Sequence, residues 1–326
     1  MHSIDFNSLV SLISTNKNEK TMLTFHSIGD MDSVASATVL SKAFNDSIVS
    51  SPDRITANSR SMLEKMGYKD DTISKVFVDD AKLVVMLDVN NFYDCGSFQE
   101  KLEQFKNTII IIDHHANTNI KKDNVYVFND EKYNSASSIV FDLINSLDIK
   151  INPNDSILLA AGIISDSAEM QNSSAHTFTQ LGRIFEASKQ NYNSILGYME
   201  HIPSPQARAD TINDLAEASV SIQNNILFMF GKAHGHANVA ADDSIKIGAD
   251  ISLFYSDIGG GISISVRMRQ GLENELNLHL GVIMKSIAAI IDGTGGGHPC
   301  AAGAYGKNPG GIGKFLSEFN KIIFKN

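Results

Sequence analysis

The chain has 326 residues, of which 43% are hydrophobic and 20% charged, and this balance is typical of a folded globular protein. Because the length exceeds what one hydrophobic core usually holds, we expect two domains. The formal net charge of −10 argues against a protein that grips long nucleic acid, since Lys and Arg dominate such binding, although a local basic patch can survive in an acidic chain.

The sequence carries no pattern of a membrane protein or of a disulfide-rich secreted one. Its longest apolar runs, "IIII" and "LVVML", are far shorter than the roughly 20 residues that span a bilayer. The N-terminal segment has the pattern of an amphipathic helix and lacks the basic start and cleavage site of a secretory signal. Cys95 and Cys300 form no CxxC pair, so they are most simply two thiols in a reducing compartment. We therefore expect a cytoplasmic protein without a membrane partner.

Strand-like and helix-like segments alternate through the first half of the chain. Short apolar runs predict strands at 21–25, 83–89, 108–113 and 125–128. Apolar residues at helical spacing predict helices at 33–44, 136–147 and 156–168. This alternation favours an α/β domain whose sheet is mostly parallel and flanked by helices.

The second half predicts a helical connector followed by a smaller α/β unit. Residues 175–222 are helical in pattern and more polar, with an interruption at "HIPSPQ". Strand-like runs follow at 225–233, 250–256 and 261–268, and "DIGGG" marks a turn between the last two. Helices are expected at 276–291 and 312–324. The predicted organisation is a catalytic domain over 1–190, a connector over 191–222, and a mixed-sheet substrate-binding domain over 223–326.

Acidic and histidine residues follow three of the predicted strands. Because the carboxyl ends of parallel strands meet at one edge of a sheet, these side chains should converge there. Together with an acid on the helix at 156–168, the set comprises His26, Asp30, Asp32, Asp88, Asp113, His114, His115 and Asp166. Mutual repulsion of so many carboxylates indicates a metal site, and the set is too large for one tetrahedral zinc. It suits two divalent ions, with Mn²⁺ favoured and Fe²⁺, Co²⁺ or Zn²⁺ left open.

A second group of candidate residues lies in the smaller unit. In "GTGGGHPCAAGAYG", the run Gly295, Gly296 and Gly297 exposes amides that can hold an anion, and His298 follows directly. A plain turn is the alternative. Arg267 and Arg269 alternate along a strand and face the same side, where they could bind phosphate or remain solvated. His234 and His236, by contrast, are expected in an exposed turn, and a further metal site there is the alternative.

These motifs resemble the DHH phosphoesterase superfamily, in the branch that carries a DHHA1 domain, and the resemblance covers most of the chain. The matching segments are "HSIGDMD" at 26–32, "MLD" at 86–88, "DHH" at 113–115, "GIISDSAEM" at 162–170, and "SVR" together with "GGGHPCAAGA". The chain departs from the family only where Ser165 and Ser167 flank the fourth acid in place of Thr, and the hydroxyls are kept.

The resemblance implies a role for each of these residues. One metal would be held by His26, Asp30 and Asp88, and a second by Asp32, Asp88, His114 and Asp166. His115 would lie against the scissile phosphate, and Asp113 would orient a histidine. Arg267, His298 and the amides of 295–297, with Arg269 as a further candidate, would hold another phosphate or a terminal nucleotide.

The resemblance favours, as substrates, short oligonucleotides (nanoRNA, pNpN) and 3′-phosphoadenosine 5′-phosphate (pAp), with nucleoside monophosphates as products. A cyclic or linear dinucleotide phosphodiesterase is the nearest alternative, followed by a single-strand exonuclease and a polyphosphatase. A non-catalytic binding subunit is disfavoured because every metal ligand is present. No long duplex partner is expected. The sequence does not fix the oligomeric state, and the helical connector could support a homodimer.

Overall fold

The computed structural model describes residues 1–115, 120–168, 170, 173–200 and 203–324. The chain divides into two compact units, residues 1–201 and residues 202–326, and each unit contains its own sheet. The predicted connector differs from the structure at one end. Residues 219–222, assigned above to the helical connector, belong to a strand of the second sheet that spans 219–223.

The first unit is built on a seven-stranded sheet in which every neighbouring pair is parallel. Its strands are β1 (His2–Ser3), β2 (Thr21–Thr24), β3 (Ser47–Ser50), β4 (Ile73–Ser74), β5 (Leu83–Leu87), β6 (Thr108–Asp113) and β7 (Val125–Asn129). Their spatial order is β1-β7-β6-β5-β2-β3-β4. The apolar strands β5, β6 and β2 therefore occupy the middle of the sheet, and their carboxyl ends share one edge.

Helices flank this sheet. They are α1 (Phe6–Thr15), α2 (Met31–Leu40), α3 (Ala57–Lys65), α4 (Gln99–Gln104), α5 (Ala136–Ser146), α6 (Pro153–Asp166), α7 (Ala175–Ser188) and α8 (Tyr192–Met199). None of the helices in the described part of the chain is long and apolar enough to cross a membrane.

The two faces of the first sheet contribute to two separate hydrophobic clusters. Leu23, Val85 and Ile110 pack into one cluster with helices α2, α5 and α6, whereas Val84 and Ile111 pack into the other. Successive side chains of a strand point to opposite faces, so a continuous apolar run is what a strand covered on both faces requires. This explains why the four isoleucines of β6 are all buried.

The second unit contains a six-stranded mixed sheet. It is formed by β8 (Ser219–Gln223), β9 (Ile226–Lys232), β10 (Ile251–Ile258), β11 (Gly261–Met268), β12 (Gly293–Gly297) and β13 (Ala301–Gly306). The order is β12-β13-β11-β10-β9-β8, with only β9 and β10 parallel. Its helices are α9 (Pro205–Glu217), α10 (Ala237–Lys246), α11 (Leu272–Leu276), α12 (Leu280–Ile287) and α13 (Ile312–Ile323). The predicted fold class, two α/β parts with a parallel and a mixed sheet, is confirmed.

Candidate metal centre

The loop after β2 and the start of α2 carry the first three candidate ligands. Asp30 caps α2, because its Oδ1 accepts a hydrogen bond from the amide of Ser33 at 3.0 Å. Its other oxygen, Oδ2, lies 3.4 Å from Nε2 of His26. Asp32 lies in the first turn of the same helix and is buried. The cap at Asp30 thus fixes the start of α2, and with it the positions of two carboxylates that are two residues apart in the sequence.

Asp88 is the central carboxylate of the site. It follows β5 with φ +56°, a left-handed conformation that Asp and Asn adopt more readily than most residues, and its amide donates to the carbonyl of Ile112 at 3.0 Å. Its side chain is 3% exposed. Oδ2 lies 3.6 Å from Nε2 of His26, and Oδ1 lies 3.4 Å from Nε2 of His114 and 3.7 Å from Nδ1 of His115. Asp88 therefore lies between two groups of ligands.

The end of β6 delivers an acid and two histidines whose roles differ. Asp113 is fully buried, and its Oδ1 is 2.9 Å from Nδ1 of His115. This contact raises the pKa of His115, and it leaves Nε2 as the atom of that ring that is free for other partners. His114 instead places its Nε2 3.0 Å from Oδ2 of Asp166, the last residue of α6. Asp166 is 29% exposed, so it ends the apolar helix instead of lying within its buried part.

The N-terminus of α5 holds Asp32, a contact that the sequence analysis did not predict although it predicted the helix. The amide of Ala136 donates to Oδ2 at 2.6 Å and the amide of Ser137 donates to Oδ1 at 2.8 Å. These are the first amides of α5, which stabilise a negative charge through unpaired N–H groups and the helix dipole. Ser135 caps this helix. The signal was present in the sequence, since "NSASS" directly precedes an apolar run of helical spacing.

The ligand atoms fall into two compact groups. Three-residue groups whose ligand atoms all lie within 4.8 Å of one another are His26, Asp30 and Asp88, and Asp32, His114 and Asp166. Both groups mix carboxylate with imidazole and contain no thiolate. A further group of the same kind joins Asp88 to the three residues at 113–115. The structure thus brings together all eight residues that the sequence analysis placed at this edge.

Three buried atoms of the site lack hydrogen-bond partners. Among the described residues these are Oδ1 of Asp88, Oδ2 of Asp113 and Nε2 of His114, whose contacts with Asp88 and Asp166 are within ion-pair distance only. Buried polar atoms without a partner cost free energy, and native proteins rarely leave them so. Carboxylate and imidazole atoms that converge without hydrogen-bond partners are suitable ligand atoms for divalent metal ions.

Charge in the site perturbs the pKa values of its members. Burial opposes protonation of His26 and His114, but the neighbouring carboxylates overcome it and raise the pKa of each imidazole to about 10. Burial, followed by the charges of Asp88 and Asp166, raises the pKa of Asp32 well above its usual range. The site therefore concentrates negative charge of the kind that a bound cation neutralises.

The cleft beside these ligands, with a volume of about 1090 Å³ open to solvent, has an acidic wall. Four carboxylates line it, those of Asp30, Asp88, Asp94 and Asp166, together with His26 and His115. Neither Lys nor Arg is present among the described lining residues. An anionic group could enter this cleft only if the carboxylates were neutralised first.

The candidate residues of the second unit have their own partners. Nε of Arg267 lies 2.5 Å from Oδ1 of Asp242. Arg269, just beyond β11, contacts both Asp250 and Glu275. That double contact links the start of β10 to α11 and gives Arg269 a structural role.

The glycine run is a strand and not the loop or turn that the sequence suggested. Residues 293–297 form β12 and pair with β13. A Cβ on Gly295 would lie 2.6 Å from the carbonyl oxygen of Met284 in α12, whereas one on Gly296 would meet no atom within 4 Å. Gly295 is therefore required by close packing, and the open side of Gly296 leaves backbone accessible. His298 directly follows the strand and is exposed.

Comparison with known proteins agrees with these observations. The family model for the DHH family N-terminal domain matches residues 20–163, and that for the DHHA1 domain matches residues 223–325. An uncharacterized protein of Methanocaldococcus jannaschii, MJ0988, is 24% identical over 307 residues, which cover 90% of this chain and 89% of that protein.

Among solved structures, the chain is similar to an exopolyphosphatase-related protein from Bacteroides fragilis. The TM-score is 0.75 at 16% identity, over 98% of this chain and 95% of that one. At this identity the likeness concerns the fold. The motifs, the two matched domains and the convergent acids and histidines together establish that the chain belongs to the DHH phosphoesterase superfamily, in its DHHA1 branch, and is a phosphoester hydrolase.

Proposed function

We propose that this enzyme uses two divalent metal ions to hydrolyse short oligonucleotides (nanoRNA, pNpN) and 3′-phosphoadenosine 5′-phosphate, releasing nucleoside monophosphates in the cytoplasm. The observation that carries the proposal is the pair of three-residue ligand groups joined through Asp88. Mn²⁺ is the preferred ion because both groups mix carboxylate and imidazole without sulfur.

One ion would be held by His26, Asp30 and Asp88, and the other by Asp32, Asp88, His114 and Asp166. Such a pair supplies a water of lowered pKa and neutralises charge on the phosphoryl oxygens. The α5 N-terminus fixes the carboxylate of Asp32 through one hydrogen bond to each oxygen, and each oxygen keeps a lone pair for a metal.

His115 is the residue that we assign to the scissile phosphate. Its side chain is 55% exposed, and Asp113 holds its Nδ1 and favours the protonated ring. A protonated imidazole can donate from Nε2 to a phosphoryl oxygen and stabilise the charge that develops there. Asp113 acts through His115 as a positioning residue.

The second unit would bind another part of the substrate. Arg267, oriented by Asp242, offers its remaining guanidinium N–H groups to a phosphate. The backbone amides of 295–297, with open space beside Gly296, and the exposed ring of His298 would bind a second phosphate or a terminal nucleotide. Recognition beyond bare phosphate favours nucleotides over polyphosphate, and the acidic charge of the chain favours short over long strands.

A time course in Mn²⁺ tests the proposal. The substrates are 5′-labelled RNAs from two to about twenty nucleotides, a range that exceeds the roughly 4–16 nucleotides that one strand-binding module covers. We would compare them with pAp, cyclic di-AMP, single-stranded DNA and polyphosphate. We expect the rate to fall steeply beyond a few nucleotides. Equal rates on long strands would identify a general exonuclease, and preference for cyclic di-AMP or polyphosphate would replace the proposed substrate class.

A further inference from the structure

A second recess opens at the carboxyl edge of the seven-stranded sheet, beside β3 and β4. It is narrow, with about 40 Å³ in which the centre of a water-sized group can lie. We call it the basic recess and define it by Ser51, Arg54, Arg60, Tyr68, Lys69 and Lys75, which lie in its wall. Ser51 and Lys75 directly follow the two strands, and Arg60 comes from α3.

The basic recess carries unbalanced positive charge. Four cationic residues line it, against two carboxylates, those of Asp53 and Glu64. Among the side chains that the structure describes, no carboxylate oxygen lies within 4.0 Å of any of the four cationic groups. The two carboxylates balance only part of this charge, so the cations repel one another, and an anionic ligand would relieve that repulsion.

An unsatisfied hydroxyl provides an independent sign of a ligand. Ser51 is 2% exposed, and its Oγ has no hydrogen-bond partner among the described residues. A buried polar group without a partner costs about 1–3 kcal/mol, so natural proteins usually supply one. Because Ser51 lies in the wall of the recess, a polar ligand there could hydrogen-bond to it.

The recess also has an apolar part. Tyr68 lies in the wall with Ile55 and Ile73, and its hydroxyl donates to the buried carboxylate of Asp155, which fixes the side chain. Lys42 pairs with the same carboxylate at 3.1 Å. These contacts hold the apolar side of the recess in place beside its cationic groups.

Main-chain hydrogen bonds join the basic recess to the catalytic cleft. The amide of Arg54 donates to the carbonyl of Ser27 at 3.2 Å, and the amide of Thr56 donates to the carbonyl of Gly29 at 2.8 Å. Residues 27 and 28 line the catalytic cleft, and residues 54 and 55 line the recess. The two depressions are therefore separated by a single pair of hydrogen-bonded segments.

We propose that the basic recess is a second phosphate subsite, which binds a phosphate of an oligonucleotide whose scissile phosphate occupies the catalytic cleft. The proposal rests on the proposed function for its ligand class. The subsite would contribute to binding only when the substrate is long enough to reach it. It therefore determines which lengths the enzyme prefers.

The test compares two variants with the same change of charge. Arg60→Gln with Lys69→Gln removes two cations from the recess. Lys17→Gln with Lys82→Gln removes two exposed lysines that precede β2 and β5, at the opposite edge of the sheet. We expect the recess variant to lower kcat/KM for a pentanucleotide at least about tenfold more than for a dinucleotide. An equal loss at both lengths, or an equal loss in the control variant, would overturn the proposal.

Binding without hydrolysis separates this proposal from the hydrolytic one. Anisotropy of labelled, hydrolysis-resistant phosphorothioate pentanucleotide and dinucleotide, measured in Mn²⁺, reports affinity separately from cleavage. If the unmodified protein binds the pentanucleotide more tightly than the dinucleotide and the recess variant does not, the subsite is supported even when no hydrolysis is detected. Hydrolysis with no length-dependent difference between the two variants would leave the proposed function standing and refute the subsite.

Ser51→Ala provides a second readout. The unfolding free energy should be unchanged or higher, because a buried hydroxyl without a partner is removed, while pentanucleotide affinity falls. Unchanged affinity would mean that the hydroxyl does not face the ligand, and would contradict the proposed subsite.

Discussion

Replacing Gly162 by Ala tests whether helix packing positions the metal ligand Asp32. Gly162 lies in α6 at the point where this helix meets α5. A Cβ there would lie 2.1 Å from Oγ of Ser137 and 2.9 Å from Oδ1 of Asp32. Both distances are far below van der Waals contact, so α5 or the carboxylate must move. The position has no room for even one methyl group.

Two opposing effects determine how much Gly162→Ala changes the free energy of unfolding. Ala in place of Gly stabilises a helix interior by roughly 0.5–1 kcal/mol, whereas inserting a methyl group into a packed core costs typically about 1–3 kcal/mol. We therefore expect Gly162→Ala to lower the unfolding free energy by up to about 2 kcal/mol. Because the amides of α5 orient Asp32, the displacement should also weaken Mn²⁺ binding by about 10–100-fold, as other changes to groups that orient ligands do.

Urea unfolding and calorimetric Mn²⁺ titration measure the two effects. Gly182→Ala is the matched control, since Gly182 is an exposed helical glycine in α7 with open space around it. That variant should gain roughly 0.5–1 kcal/mol and bind metal normally. Adding Ser137→Ala to Gly162→Ala removes the nearest clashing atom and should restore part of both losses. If Gly162→Ala behaved like the control, the close packing of α5 and α6 around Asp32 would be refuted.

Three further predictions concern other parts of the chain. Asp88→Asn keeps a residue type that tolerates φ +56°, yet it should abolish binding of both Mn²⁺ ions in metal analysis of the purified protein; two retained ions would contradict a bridging carboxylate. The hydrogen bond with Asp214 raises the pKa of His234. The stabilising effect of this contact is therefore complete below about pH 6.5 and is lost as the pH rises through the folded-state pKa. Asp214→Asn should lower the pKa of His234 in an NMR titration, and an unchanged pKa would show that the contact is unimportant. Gly295→Ala should lower the melting temperature because of the Met284 carbonyl and Gly296→Ala should not, so equal melting temperatures would contradict the packing described for β12.

The sequence predicts well those elements whose own composition determines them. Strands β5 and β6 are buried on both faces, and their apolar β-branched residues identify them without further information. Strands β1, β3 and β4 escaped the sequence analysis because they are two to four residues long and hold few apolar side chains. Such short strands form because neighbouring strands offer hydrogen bonds, and those neighbours are remote in sequence.

The strand β12 was misjudged for a physical reason. Glycine is depleted in strands, so a run of three suggests a loop or a turn. Here the neighbouring helix approaches so closely that side chains are excluded: a Cβ on Gly281 of α12 would lie 1.9 Å from the carbonyl oxygen of Gly297. Tertiary packing overrides local propensity at this position, and nothing local in the sequence reports the distance between a helix and a strand.

The convergence of the eight candidate ligands was predictable because the edge of a parallel sheet is a topological consequence of its strands. The contacts that hold individual side chains in place were not predictable from the sequence. Asp32 is held by amides more than one hundred residues away in the chain, and Arg269, offered as a substrate-binding candidate, is tied to two carboxylates. These contacts depend on how helices pack, and the spacing of residues does not encode that.

The distribution of charge refines what net charge alone implied about the substrate. Five carboxylates of the metal centre, Asp30, Asp32, Asp88, Asp113 and Asp166, account for half of the formal charge of −10. Bound divalent ions would neutralise much of that charge, so the acidic balance does not describe the surface that an oligonucleotide meets. The cations at the same edge of the sheet, in the basic recess, are what a substrate would encounter beside the catalytic cleft. The proposed selection for short strands would then depend on the small number of cationic subsites as well as on the acidic charge that remains once the metal centre is filled.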